Sequence, residues 1–456
     1  MGRRVVIWVL AVIILLTANC VSYLPIHIPP VAVTGDDSGD AITFYQTWRM
    51  SDTGSLVEFY AQKISPEGNF LWGERGILVA SGNVAFYWTC DLYAVSDGSG
   101  GAVFIWEEPL REPPYALPHA AKIDSGGNVK WQTDIPSVKE AIKEAIPDGS
   151  GGVIIAYIDG MGNMSVLKID AEGNRPWGEE GVSLNLGDSY LSDIASDNLG
   201  GVIVVSYGVG NISAQRVDSG GNILWQMGGV EVCGIRGGEA RVVSDSSGGA
   251  IIAYVYTIPW EDGKSGYCDS DIYAQRIDAM GNILWGLDGV PVCVQPLYQY
   301  NPGIVDDGAG GAIIFFVTHL LIGEYTYPAI HALRIDTDGR KLWDEDVEVW
   351  SGSYHSMVSD GYGGAIGVWY SDEEGKARAQ RLDAAGQKLW GPEGTTLTLR
   401  DVYLSQVGPD GYGGVLIPWS TVKFTGDEVS EVSYYVQRVD AGGNVVWGED
   451  GILLNP

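Results

Sequence analysis

The chain has 456 residues, and aspartate and glutamate outnumber lysine and arginine 58 to 27, for a formal net charge of −31 at pH 7. Such an anionic surface argues against nucleic acid or an anionic membrane face as a partner. A single compact core would be oversized at this length, so the length favours an array of repeated units that adds core step by step.

The N-terminal segment has the layout of an export signal. Arg3 and Arg4 precede an unbroken apolar run over 5–16, which is too short to span a membrane comfortably. The run leads to Cys20 in a context that resembles a bacterial lipoprotein box, although Asn19 stands where that box has a small residue. Lipid attachment at Cys20, ordinary cleavage nearby and an uncleaved anchor all stay open. Each places the folded part outside the cytoplasm. We predict an export signal over 1–20, a linker over 21–30 and a folded domain over 31–456.

A segment that ends in tryptophan recurs eight times in this domain. Its clearest copy, over 273–285, reads Tyr-Ala-Gln-Arg-Ile-Asp-Ala-Met-Gly-Asn-Ile-Leu-Trp. A glycine four residues before each tryptophan predicts a tight hairpin in every copy. The copies lie 46 to 60 residues apart and end at Trp72, Trp131, Trp177, Trp225, Trp285, Trp343, Trp390 and Trp447. A strand-forming repeat of this size indicates a stacked or closed array of small sheets.

A second repeated block precedes each tryptophan segment. The copy over 96–106 reads Ser-Asp-Gly-Ser-Gly-Gly-Ala-Val-Phe-Ile-Trp, in which a glycine turn leads into a short apolar run typical of a strand buried on both faces. Together the two blocks predict four antiparallel strands per unit. The residues 31–456 are therefore predicted to form an all-β, eight-bladed β-propeller, in which each tryptophan docks one blade on its neighbour.

The residues from Asp278 to Trp285 resemble the tryptophan-docking repeat of the quinoprotein (PQQ-like) eight-bladed propellers, which also occurs in the propeller lipoprotein of outer-membrane protein assembly. The usual threonine before the glycine is absent, and the glycine-pair block is not part of that pattern. The resemblance implies the fold and the docking role of the tryptophans, and nothing about activity. The adjacent cysteine pair that quinone-dependent dehydrogenases often place against their cofactor is missing, so no cofactor is expected.

The variable connections of such a propeller gather on one face, because the constant glycine hairpins occupy the other. Surface loops on a rigid scaffold commonly carry binding residues, and aromatic clusters are typical anchors. Tyr190, Tyr300 and Tyr403 each lie eleven residues before a glycine marker and are expected at the mouth of the central channel. An alternative is that these rings cap the core beneath long loops. The predicted ligand-binding residues are Trp88, Tyr190, Trp260, Tyr267, Tyr300, Tyr325, Tyr327, Trp350, Tyr354 and Tyr403.

Other residue patterns are interpreted as structural. A basic residue nine places before every tryptophan is expected to pair with the aspartate two residues on, or with a neighbouring blade. The aspartate-rich hairpins hint at calcium, but turn formation accounts for them, and no other metal site is expected. Cys233 and Cys293 occupy equivalent places in adjacent units and could form a disulfide, although Cys90 and Cys268 leave three pairings open.

The sequence predicts an exported, monomeric binding or scaffold module, whose partner is a protein or a glycan at the variable-loop face. No nucleic acid partner is expected, and contact with a membrane would come only through the N-terminal anchor. One alternative is a secreted polysaccharide-degrading enzyme that uses the loop carboxylates Glu107, Glu108, Glu261 and Asp262. Another is a subunit of an outer-membrane assembly machine.

Overall fold

The described part of the chain consists of β-strands and turns in a computed structural model of the protein. It covers residues 31–455 except for 52–53, 85–90, 110–115, 136–137, 160–162, 187–188, 209–210, 234–236, 259–268, 296–297, 323–324, 344–345, 352, 372–375, 398–401 and 426–427. Within these residues there is no helix with the length and apolarity that crossing a membrane requires.

The strands form eight antiparallel sheets, each made from one continuous stretch of chain. Blade 1 contains β1 (Ala32–Gly35), β2 (Ala41–Ser51), β3 (Gly54–Ile64) and β4 (Ile77–Val84), and blade 2 contains β5 (Tyr93–Ser96), β6 (Ala102–Pro109), β7 (Ala116–Ile123) and β8 (Val129–Asp134). Blade 3 contains β9 (Val138–Pro147), β10 (Val153–Asp159), β11 (Met164–Ile169) and β12 (Val182–Ser183), and blade 4 contains β13 (Ser189–Ser196), β14 (Val202–Gly208), β15 (Ile212–Val217) and β16 (Val230–Cys233).

Blade 5 contains β17 (Gly237–Ser244), β18 (Ala250–Ile258), β19 (Asp269–Ile277) and β20 (Val290–Cys293), and blade 6 contains β21 (Gln299–Asp306), β22 (Ala312–Ile322), β23 (Tyr325–Ile335) and β24 (Val347–Ser351). Blade 7 contains β25 (Ser353–Ser359), β26 (Ala365–Ser371), β27 (Lys376–Leu382) and β28 (Thr395–Leu397), and blade 8 contains β29 (Val402–Leu404), β30 (Gly408–Pro409), β31 (Val415–Thr425), β32 (Glu428–Val439) and β33 (Ile452–Leu453). In blade 8 the first strand is interrupted, so that β29 and β30 both pair with β31.

The first strands of the eight blades form the inner wall of a closed ring. Each contacts the first strand of the next blade, and the series returns from β30 to β1. Every blade then runs outward through its second, third and fourth strands. The predicted eight-bladed propeller with four antiparallel strands per blade is therefore confirmed, and the variable connections enter the ring at the start of each inner strand.

In seven blades the first hairpin contains a glycine pair, and its two glycines are required for different physical reasons. In blade 6, Asp307 Oδ1 accepts hydrogen bonds from the backbone N–H groups of Ala309 and Gly311 and closes the turn. Gly310 has a φ of 85°, which favours glycine. A Cβ at Gly311 would lie only 2.3 Å from the carbonyl oxygen of Ile335 on the adjacent strand. The first glycine thus serves the turn and the second allows close approach of the strands.

Each repeat tryptophan contacts the blade that follows it. The indole of Trp225 lies against Gly281, where an added Cβ would be 2.9 Å from its ring. Its Nε1 donates a hydrogen bond to the carbonyl of Ala279, two residues before that glycine. All eight tryptophans make this bond at 2.9–3.3 Å, to Ser125, Ala171, Ser219, Ala279, Thr337, Ala384, Ala441 and Pro66 in chain order. The second-hairpin glycine of each blade is therefore the docking surface for the preceding blade.

The basic residue of each repeat joins two blades as well. In all eight blades it forms an ion pair with the aspartate of the first hairpin in its own blade, at 2.7–3.4 Å. It also donates to a backbone carbonyl of the next blade, as Arg276 does to Thr337 at 2.8 Å. The aspartate two residues after the basic residue closes its own turn instead. Asp278, for example, accepts hydrogen bonds from the N–H groups of Met280 and Asn282. The basic residue therefore pairs with the aspartate of the first hairpin, and not with the expected aspartate of the second hairpin.

The expected disulfide between Cys233 and Cys293 is not formed in the structure. Both side chains are buried at the ends of β16 and β20, the outermost strands of adjacent blades. Equivalent positions on outer strands lie far from the channel axis, where neighbouring blades diverge, so a short covalent bridge is not favoured there. Burial raises the pKa of the Cys293 thiol to about 11. The other two cysteines considered, Cys90 and Cys268, lie outside the described residues.

Candidate functional site

Three predicted aromatic residues lie on the inner wall of the ring. Tyr190, Tyr300 and Tyr403 are each the second residue of an inner strand, in blades 4, 6 and 8. Because the variable connections lead into these strands, the three residues lie at the end of the ring opposite the glycine hairpins. They are 70%, 38% and 50% exposed, respectively. Exposed rings on alternate inner strands form a surface available to a ligand.

Neighbouring side chains support two of these rings from behind. Tyr190 packs against Tyr207 of the adjacent strand, with ring centroids 5.7 Å apart. Tyr300 packs against His319, at 5.5 Å. Burial of one side raises the pKa of the Tyr300 phenol, which keeps it in its neutral hydroxyl form at physiological pH. The rings are held by strand backbone and stacking, so little conformational entropy would be lost on binding.

The other predicted aromatics are less fully described. Trp88, Trp260 and Tyr267 lie outside the described residues. The structure describes the backbone of four others, which lie in strands β23 (Tyr325 and Tyr327), β24 (Trp350) and β25 (Tyr354). Tyr354 pairs with Trp369 in register near the start of the inner strand of blade 7. Cys20, the predicted lipid-attachment residue, also lies outside the described residues.

The inner wall contains a group of charged residues on three consecutive blades. Burial raises the pKa of Glu144 in β9 to about 8, and the charge of Asp193 adds to that rise. Burial also raises the pKa of Asp193 in β13 to about 6, although its carboxylate accepts a 2.8 Å hydrogen bond from the N–H of Val242. The positive charge of Arg241 in β17 acts in the opposite direction and lowers the pKa of both carboxyl groups. The raised pKa therefore favours the protonated form of Glu144 at neutral pH.

The two loop carboxylates that are described have different environments. Glu107 is buried, and its Oε1 accepts a 2.8 Å hydrogen bond from the N–H of Ile142 in the next blade. Burial raises its pKa. It therefore connects blades 2 and 3. Glu108 is partly exposed and its Oε2 lies 3.3 Å from Nε2 of His119. Glu261 and Asp262 lie outside the described residues.

His119 occupies a cleft of about 130 Å³ between blades 1 and 2. Its Nδ1 lies 2.9 Å from Oδ1 of Asp134, and its ring stacks on Trp106 with centroids 5.3 Å apart. The imidazole is only 8% exposed. Its Nε2 has no hydrogen-bond partner among the described residues. The cleft is lined by Val57, Phe59, Ala80, Ser81, Gly82, Trp106, Glu108, His119 and Gln132.

Sequence reasoning found no histidine pair or triad, and it missed this arrangement. His119 and Asp134 are directly paired across β7 and β8, and His119 and Trp106 across β7 and β6. Only the strand register brings the three side chains together. Blade 6 repeats part of the pattern: His331 Nδ1 lies 2.6 Å from Asp346 Oδ2, and its ring stacks on Phe316. Thr318 stands there at the place of Glu108, two residues after the stacking ring.

Within the described residues, no group of three or more histidines, cysteines, aspartates or glutamates is arranged to hold a metal ion. The hairpin aspartates direct their oxygens to backbone donors, as Asp336 does toward the N–H groups of Asp338 and Arg340, both at 2.9 Å. The hairpin aspartates therefore close these turns, as expected from turn formation.

No protein-family model matches the chain, and no curated protein is similar enough to match it. Solved structures do resemble it. The β-propeller domain of the Trilobed protease from Pyrococcus furiosus has a TM-score of 0.45 and 9% identity, over 77% of this chain and 94% of that one. A protein from Lactobacillus plantarum has a TM-score of 0.40 and 12% identity, over 76% and 93%. The polysaccharide lyase Uly1 has a TM-score of 0.39 and 10% identity, over 90% and 89%. The likeness to all three is one of propeller architecture alone, and the resemblance to the PQQ-like repeat stays a prediction.

Proposed function

We propose that this protein is an exported, non-catalytic binding or scaffold module, whose ligand contacts the ring at the mouth opposite the glycine hairpins. One observation carries the proposal: Tyr190, Tyr300 and Tyr403 are exposed on rigid inner strands of alternate blades. Aromatic rings of this kind supply a large contact area at a small entropic cost, and they are typical anchors for proteins and glycans.

The test compares two sets of exposed tyrosines on opposite faces of the ring. The purified protein is screened against a panel of polysaccharides and against solubilised envelope proteins. Replacing Tyr190, Tyr300 and Tyr403 together by alanine should abolish capture of the ligand. The matched control replaces Tyr362 and Tyr412, which are exposed on the first hairpins of blades 7 and 8. Capture that survives the first set of substitutions, or that is lost only with the second, contradicts the proposal.

A second candidate function is polysaccharide breakdown, because the Glu108 carboxylate lies beside His119 in an accessible cleft. Such a pair of groups can move a proton to or from a sugar hydroxyl. Any shortening of a polymer during the screen, lost on Glu108→Gln substitution, would establish the enzyme and overturn the non-catalytic proposal. Co-purification with outer-membrane proteins would instead favour a subunit of an assembly machine.

Export and lipid attachment belong to the same proposal and rest on the sequence of the first 20 residues. Cells that express the protein are grown with radioactive palmitate, with and without a Cys20→Ser substitution. Label that depends on Cys20 supports a lipid anchor in the cell envelope. A protein that is exported without label was either cleaved in the ordinary way or kept an uncleaved anchor, which its mass distinguishes. A protein retained in the cytoplasm contradicts the proposed location.

A further inference from the structure

The cleft between blades 1 and 2 places Nε2 of His119 beside the carboxylate of Glu108. Asp134 accepts at Nδ1 of His119. In the tautomer with its proton on Nδ1, the imidazole presents a lone pair at Nε2. The carboxylate of Glu108 lies 3.3 Å from that nitrogen and also only accepts. Nε2 is buried and has no hydrogen-bond partner among the described residues. Facing acceptors of this kind require a donor between or beside them.

The walls of the cleft indicate which kind of donor fits. Val57, Phe59 and Trp106 form an apolar side, whereas Ser81, Glu108 and Gln132 form a polar side. Two carboxylates, of Glu108 and Asp134, flank the imidazole, and the whole chain has a net charge of −31. An alkyl stem can lie on the apolar side while a cationic head meets the acceptors. A hydroxyl has one proton and leaves one acceptor unsatisfied, but a primary ammonium has three N–H donors and also balances the negative charge.

We infer that this cleft is a binding site for a primary ammonium group on an alkyl chain. The ammonium donates to His119 Nε2 and to Glu108 Oε2, and its stem packs along Phe59 and Trp106. Asp134 acts as a positioning residue, because it fixes the imidazole tautomer. The site goes beyond the proposed function, since it lies at a seam between two blades and shares none of the three mouth tyrosines.

Blade 6 supplies an internal control. His331 pairs with Asp346 and stacks on Phe316, as His119 does with Asp134 and Trp106. Thr318 stands at the place of Glu108, so that blade lacks the carboxylate at this position. The inference therefore predicts that an ammonium binds at His119 and not at His331.

The experiment titrates the full-length protein with n-butylammonium chloride and follows the imidazole signals of both histidines by NMR. Saturable shifts at His119 are expected, with no response to n-butanol, which has a similar shape and no charge. Glu108→Gln and His119→Asn should each weaken binding roughly tenfold or more, and His331→Asn should leave it unchanged. A lysine-containing peptide and spermidine, tested side by side, distinguish a protein ligand from a free polyamine.

Several results overturn the inference. One is a His119 ring that is doubly protonated in the free protein and does not respond to the amine, because it then satisfies Glu108 itself. Others are an equal response to n-butanol, or affinity that is unchanged by Glu108→Gln. None of these results bears on capture of a ligand at the mouth tyrosines, so the two proposals fail independently.

Discussion

The hydroxyl of Tyr45 in blade 1 donates a hydrogen bond to the backbone carbonyl of Leu454 in blade 8, 2.7 Å away and 409 positions later in the chain. The blades at this seam exchange no strand, since blade 1 is built from the start of the described chain and blade 8 from its end. Closure depends on such side-chain contacts, which include the ring packing of Tyr45 on Tyr434 at 5.8 Å and a 3.0 Å bond from the N–H of Val31 to Ser405 Oγ.

Substitution of Tyr45 by phenylalanine should weaken the seam without changing the blades. The carbonyl of Leu454 loses its buried donor, which costs about 1–2 kcal/mol of unfolding free energy. Tyr254→Phe is the matched control, because that hydroxyl donates at 2.8 Å to Asp288 within its own blade. Hydrogen exchange should accelerate in β1 and β33 for the first variant only. Equal exchange at the seam in both variants would show that other contacts close the ring.

A glycine substitution can isolate the tryptophan contact from backbone strain. Gly281 and Gly286 both have positive φ, of 87° and 82°. A Cβ at Gly281 meets the Trp225 indole, whereas a Cβ at Gly286 meets nothing within 4 Å. We expect Gly286→Ala to cost about 1–2 kcal/mol from backbone strain alone. Gly281→Ala should cost about 1–3 kcal/mol more through overpacking. Chemical denaturation measures both, and equal losses would mean that the indole is not held firmly on the next blade.

Removal of a docking tryptophan tests the same contact from the other blade. Trp343 is buried and donates to Ala384 in the next blade. Its replacement by alanine should reduce the unfolding free energy by about 3–5 kcal/mol, as truncation of a large core side chain does. Trp285→Ala, at an equivalent but less deeply buried position, should cost somewhat less. A melting temperature unchanged in both variants would contradict docking.

The buried ion pairs should matter far more than an exposed one. Arg276 pairs with Asp245 at 2.8 Å and also reaches the next blade. Arg276→Gln leaves the buried aspartate without its cation and should cost about 3–5 kcal/mol. Lys423→Gln breaks a 2.9 Å pair with Glu431 that is exposed on both sides, and should leave the unfolding free energy nearly unchanged. If denaturation curves show comparable losses of unfolding free energy in the two variants, the basic residues do not hold the blades together.

Glu144 should make stability fall as the pH rises. Its pKa is about 8 in the folded protein and near 4.5 when unfolded, so between these values the native state binds the extra proton. This contribution to stability is fully present below the unfolded pKa and is lost as the pH rises through the folded pKa. A shift of this size corresponds to a loss of about 5 kcal/mol. Glu144→Gln should flatten this decline, whereas Glu172→Gln on an exposed hairpin should not. Urea unfolding from pH 5 to 9 measures the slopes.

The repeat pattern was sufficient to predict the strands, the hairpins and the number of blades. Apolar runs after a turn, glycine at reversals and one tryptophan per unit are local signals, and they recur along the chain. The partner of the repeated basic residue was only partly predicted. Seven of the eight units have an aspartate in each hairpin, and the choice between the two depends on which hairpin lies near the basic side chain in the folded sheet.

The candidate site was less accessible to sequence reasoning. Tyr190, Tyr300 and Tyr403 could be placed on inner strands because their distance from the glycine marker is constant. His119, Asp134 and Glu108 could not be grouped, because 15 residues and a hairpin separate the histidine from the aspartate. Strand register, including a bulge in β8 pairing, decides which side chains face each other, and no spacing in the chain records it.

By itself the sequence determined an array of eight four-stranded units, since glycine turns and apolar runs depend on neighbours along the chain. The tertiary structure alone decided how the ring closes between Tyr45 and Leu454, why Cys233 and Cys293 stay apart, and which acceptors meet in the cleft of blades 1 and 2. Those relationships join residues that are distant in the chain, and their distances depend on how eight sheets pack around one axis.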